Sequence, residues 1–114
     1  MTAATLTSQL CKAKNGLEDA QIALCGAVAA HTEAKRALEL AEAHKLCDGV
    51  EGRNEKERSA RLRLELEAEY MALYEAEDAL AEARCALEGA RLEWDLARYS
   101  LRALEVESVI GRQG

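Results

Sequence analysis

The chain has 114 residues, of which 49% are hydrophobic, 32% charged and 4% aromatic, with a formal net charge of −6, no proline and no phenylalanine. This length fits one domain; the acidic balance argues against sequence-independent binding to nucleic acid or an anionic membrane, and no apolar run approaches the length of a membrane span. An excess of Ala, Leu, Glu and Arg without proline is the composition of long helices.

The N-terminal stretch lacks both a basic start and a continuous apolar core, so a secretory signal is not expected. Thr2, Thr5, Thr7 and Ser8 offer side-chain oxygens that can cap a helix. The spacing predicts a first helix over residues 3–47. Its large row, every seventh residue, is Leu10, Leu17, Leu24, His31 and Leu38. Three residues later runs a small row of Ala13, Ala20, Ala27, Ala34 and Ala41. That is a heptad seam with large and small positions. Gly16 and Gly26 lie inside this helix, where each costs about 1 kcal/mol relative to Ala; close approach of another backbone is the expected compensation. A weaker apolar face runs through Ile22, Cys25, Gly26, Ala29, Leu40, Ala43 and Cys47.

Residues 48–54 break the pattern. Gly49 and Gly52 are expected to supply the positive φ of a helix end and a turn. Asn54, with Glu57 three residues on, reads as an N-cap and the return arm of a capping box. The second helix is predicted over 55–107, with a frayed tail over 108–114. Its large row is Leu66, Leu73, Leu80, Leu87, Trp94 and Leu101; its second row is Glu69, Ala76, Ala83, Ala90, Ala97 and Leu104. Two helices joined by a short connection fold back antiparallel. Matching the seams places Leu38 near Leu66, Leu24 near Leu80, Leu10 near Trp94 and His31 near Leu73, with Gly52 at the midpoint. The fold class expected is therefore all-α: one domain, a long antiparallel two-helix hairpin closed by a Leu/Ala heptad coiled coil.

The reverse face of the second helix is not polar. Leu64, Met71, Cys85, Leu92, Tyr99 and Val106 share one heptad row, interrupted by Asp78, with Gly89, Leu96 and Ala103 beside it. A lone hairpin cannot bury both faces, and a stripe of this length exceeds the apolar patch a monomer normally shows. The expected answer is a homodimer in which two hairpins make four helices, with Leu64, Met71, Cys85, Leu92, Leu96, Tyr99 and Val106 as the interface. The alternative is that this face receives another protein's helix.

Polar residues give little foothold for chemistry. His31 in a large seam position reads as a residue that fixes register, against the sharper reading of a pH switch or metal ligand. His44, Cys47 and Asp48 cluster at a helix end without the fourth ligand that structural zinc needs, so no metal site is expected. Arg84, Arg91, Arg98 and Arg102 form a candidate nucleic-acid strip; Glu88 and Asp95 stand three residues before Arg91 and Arg98 and can neutralise them. The four cysteines form no C-x-x-C pair and read as reduced thiols of a cytoplasmic protein, with a disulfide across the hairpin or between subunits as the alternative. No phosphate-binding loop, nucleophile elbow or catalytic grouping is present, so neither enzymatic activity nor a cofactor is expected.

The stretch over 48–60, with Gly52-Arg53-Asn54 followed by the alternating charges of Glu55-Lys56-Glu57-Arg58 and then Arg58-Ser59-Ala60, resembles a turn found in short phage and prophage helical-hairpin proteins of unassigned function. That resemblance covers the turn alone. It implies a small phage-encoded accessory protein acting in the host cytoplasm. The expected function is accordingly a non-enzymatic protein-interaction module; the alternative is a nucleic-acid-associated accessory factor using the arginine strip.

Overall fold

The computed structural model describes residues 2–113. It contains three helices: α1 (Ala3–Asp48), α2 (Glu55–Glu65) and α3 (Glu67–Gln113). The described residues include no strand, and none of their helices is long and apolar enough to cross a membrane.

Local chemistry explains most of the boundaries. Thr2 caps α1: its Oγ1 accepts from the Thr5 N–H at 3.1 Å. α1 ends where Gly49 takes φ +89°, a conformation that a Cβ disfavours, and its N–H donates to the Leu46 carbonyl at 3.3 Å. α2 begins at the expected Asn54 cap, but the return arm from Glu57 reaches the N–H of Arg53, one residue before the cap, and not that of Asn54. Asn54 Oδ1 accepts from the Glu57 N–H at 2.9 Å, and Glu57 Oε2 accepts from the Arg53 N–H at 2.9 Å.

The expected single second helix is interrupted at Leu66, whose φ −107° and ψ 28° leave the helical region. Hydrogen bonding survives on both sides: the Leu66 N–H donates to the Leu62 carbonyl and the Tyr70 N–H to the Leu66 carbonyl, each at 3.0 Å. The two flanking segments are held by different things. α2 contains no buried residue and contacts the connection before it, whereas Leu66 itself is 3% exposed. At the other end, the tail expected to fray is helical through Gln113. One internal glycine, Gly111, costs about 1 kcal/mol, and with no proline following, a helix already propagated this far need not stop.

Residue contacts divide the chain into two compact units. The first comprises Met1–Leu24 with Ala83–Gly114, the second Cys25–Glu82. Packing between helices joins only residues within a turn or two of each other, so contacts in long helices cluster locally.

In the first unit Leu6, Ala13, Leu87 and Ala97 are buried; in the second, Leu38, Leu66 and Leu80. Every other member of the four heptad rows is half-buried, including His31, Trp94 and Glu69. Outside the rows almost every side chain is exposed. The core of each unit is therefore the seam and little else.

Within the second unit, polar contacts link α1 to the chain that follows. Lys45 meets Glu65 at 3.8 Å, Glu42 accepts from the Tyr70 hydroxyl at 2.7 Å, and His31 approaches Glu77 at 3.9 Å. The partner's number rises as the α1 number falls. His31 reaches Glu77, one helical turn beyond the Leu73 expected as its neighbour. Residues 49–54 lie along the first two turns of α2, with Glu51 on Arg61 at 3.2 Å. Gly52 sits so close that a Cβ there would stand 2.7 Å from Arg58 Cγ and 2.9 Å from Arg58 N. Gly52 thus supplies room and only Gly49 supplies positive φ, where the sequence suggested that both would.

Candidate interaction surfaces

In the first unit α3 carries an uncovered apolar row. Leu92 is 64%, Leu96 66% and Tyr99 66% exposed, with Cys85 and Val106 on the same face. These five expected interface residues lie on one helix face because they recur at heptad spacing, nearly opposite the buried Leu87 and Ala97. Val109 and Ile110 are exposed as well. Sequence reasoning missed them because it ended the helix at 107; the unbroken spacing through Val106 was the signal available.

The arginine strip flanks this row. Arg84, Arg91, Arg98 and Arg102 are all exposed. Arg91 meets Glu88 and Arg98 meets Asp95, both at 3.8 Å, the pairs that the i,i+3 spacing led us to expect. Arg84 and Arg102 make no ion pair among the described residues. Arg102 and Arg98 join Asp95 and Tyr99 around a small hollow of about 140 Å³.

In the second unit the other two expected interface residues, Leu64 and Met71, are exposed beside a cluster that sequence spacing alone did not assemble. The Arg63 guanidinium stands 5.4 Å from the centroid of Tyr70 and 5.9 Å from that of Tyr74, within cation–π range of both. It also donates to the Tyr74 hydroxyl. The two rings are 6.3 Å apart and tilted by 42°. Together with Ala60, Leu64, Glu67 and Met71 these three side chains line an open hollow of about 470 Å³. Tyr70 is the polar anchor of this cluster. Its hydrogen bond to the Glu42 carboxylate raises the phenol above its ordinary value, with partial burial and the charge of Glu42 adding to the effect and Arg63 opposing it.

The remaining candidates do not converge. His44, Cys47 and Asp48 are exposed at the end of α1, and no three His, Cys, Asp or Glu side chains among the described residues are grouped as metal ligands. The four cysteines are free and exposed. Nothing lies within 4 Å of a Cβ built at Gly16 or Gly26, so the close backbone approach expected there does not occur. Ile22 and Leu40, on the outer face of α1, are exposed. No family model matches the sequence, and no curated protein or solved structure is significantly similar to it.

Proposed function

We propose that this chain is a non-enzymatic interaction protein: within each unit α1 and the later helix pair antiparallel, as in a two-helix hairpin, and the outer face of α3 is the surface through which the protein self-associates and meets a protein partner. The observation that carries this reading is the exposure of Leu92, Leu96 and Tyr99 on a helix whose opposite face is already used. Large apolar side chains left in water at heptad spacing favour burial against another helix, each contributing about 1.5–3 kcal/mol when fully covered. The order of the contacts Lys45–Glu65, Glu42–Tyr70 and His31–Glu77 supports the antiparallel pairing.

The competing nucleic-acid reading draws less support, because Arg91 and Arg98 are occupied by acidic neighbours and the chain is acidic as a whole. A phage-encoded accessory role in a host cytoplasm rests on the resemblance of the turn alone. Sedimentation velocity tests the main reading. The wild-type chain is expected to sediment as a dimer at micromolar concentration, and Leu92→Asp as a monomer with unchanged helix content. A wild-type monomer at every concentration would remove self-association from the proposal. Duplex and single-stranded nucleic acid at low salt are expected to leave the protein unbound.

A further inference from the structure

The exposed row in the first unit is a second complete heptad seam, and its composition specifies how two copies would meet. From Cys85 onward the small and apolar residues of this face follow alternating steps of four and three: Cys85, Gly89, Leu92, Leu96, then Tyr99, Ala103, and finally Val106 and Ile110. All are exposed. Alternating three and four is the spacing of a coiled-coil seam. Continued upstream, it meets Glu82 and Asp78, so the apolar seam begins at Cys85. At its other end it uses Ile110, which is available because α3 stays helical to Gln113.

We infer that a second copy of this chain covers this seam, antiparallel to the first, with Leu96 opposite the partner's Tyr99. The inference rests on the self-association proposed above and deepens it. In this register all eight seam positions pair among themselves. Leu92 meets the partner's Ala103, Gly89 the partner's Val106, and Cys85 the partner's Ile110. Around the central Leu96–Tyr99 layers, each smaller residue faces a larger one, which fills space evenly. A parallel, in-register pair instead sets Gly89 on Gly89 and Ala103 on Ala103, leaving gaps, and Tyr99 on Tyr99.

Charge selects the same arrangement. The flanking positions on one side of the seam are Glu88, Asp95 and Arg102; on the other they are Glu93, Ser100 and Glu107. Antiparallel pairing brings Asp95 to the partner's Arg102, twice by symmetry, and Glu93 to the partner's Ser100, with no like-charge pair. Parallel pairing brings Glu88 to the partner's Glu93 and Arg102 to the partner's Glu107, each twice, so repulsion offsets attraction there, whereas the antiparallel pair has attraction alone. Arg102 has no ion-pair partner among the described residues and borders the hollow beside Tyr99, at the centre of the seam. In the antiparallel pair the carboxylate that reaches Arg102 is the partner's Asp95, which in its own chain lies 3.8 Å from Arg98 and is shared between the two arginines.

Two measurements on the full chain test this. In the first, Cys11→Ser, Cys25→Ser and Cys47→Ser are combined with Ile110→Cys, and the protein is mildly oxidised. Mass spectrometry of the peptides is expected to find Cys85 joined to position 110 of the other copy. Links of 85 to 85 or 110 to 110 overturn the orientation. In the second, Asp95→Arg and Arg102→Asp are each expected to weaken the dimer on the order of tenfold, and the double variant to restore it, because the pairs remain opposite in sign. Failure of the double variant to recover overturns the charge register. A dimer abolished by Leu92→Asp but failing these tests leaves the self-association reading standing and removes this one. A wild-type monomer removes both.

Discussion

Tyr70 joins two helices that are distant in sequence, and the bond its hydroxyl makes raises the phenol's titration. The phenol is the donor, so the bond to Glu42 exists only while Tyr70 is protonated. A group whose folded-state value is raised contributes stability that is fully present below its unfolded value of about 10 and is lost as pH rises through the folded one. The tyrosinate then faces the Glu42 carboxylate, which adds repulsion. Thermal melts are therefore expected to fall above pH 10, and Tyr70→Phe to flatten that fall while costing about 1 kcal/mol at neutral pH. An identical alkaline slope in Tyr70→Phe would show that the bond contributes nothing. At the same scale, Asn54→Ala removes the acceptor for the Glu57 N–H and is expected to cost about 1 kcal/mol by denaturant melt. The cap was legible in the sequence because both partners lie within four residues. The Tyr70–Glu42 bond was not, since its residues are 28 apart.

Along the elements, heptad rows were the strongest signal, and every residue in them is buried or half-buried. Periodicity reports which face is covered whatever the partner's register, which is why the rows were legible. The close approach of Gly52 to Arg58 was not legible, since it depends on how the connection lies along α2. The interruption at Leu66 carried no sequence mark, having neither proline nor glycine beside it. Two substitutions separate covered from uncovered positions. Ala97 is buried, so Ala97→Leu overfills the seam and is expected to cost about 1–3 kcal/mol, whereas the exposed Ala81→Leu should stay within about 0.5 kcal/mol. Gly16 and Gly26 have open space around them, so Gly16→Ala and Gly26→Ala are each expected to stabilise by about 0.5–1 kcal/mol in urea melts. Destabilisation by either would mean that another surface packs against that glycine.

For the whole molecule, the seams leave the chain short of buried area. The fully buried side chains are few, and Leu92, Leu96, Tyr99 and Ile110 stand in water. A fold of this kind gains stability from anything that binds the folded state and covers those residues, and the gain grows with the concentration of the binder. If the binder is a second copy, the melting temperature must rise with the protein's own concentration. A chain that folds alone has a melting temperature independent of concentration. Leu92→Asp places a charge in the outer seam without touching Leu87 or Ala97. It is expected to abolish the concentration dependence while leaving a melt close to that of the dilute wild-type protein. If Leu92→Asp instead lowers the melting temperature equally at all concentrations, Leu92 supports the fold of its own chain, and the outer face of α3 is not the surface by which copies meet.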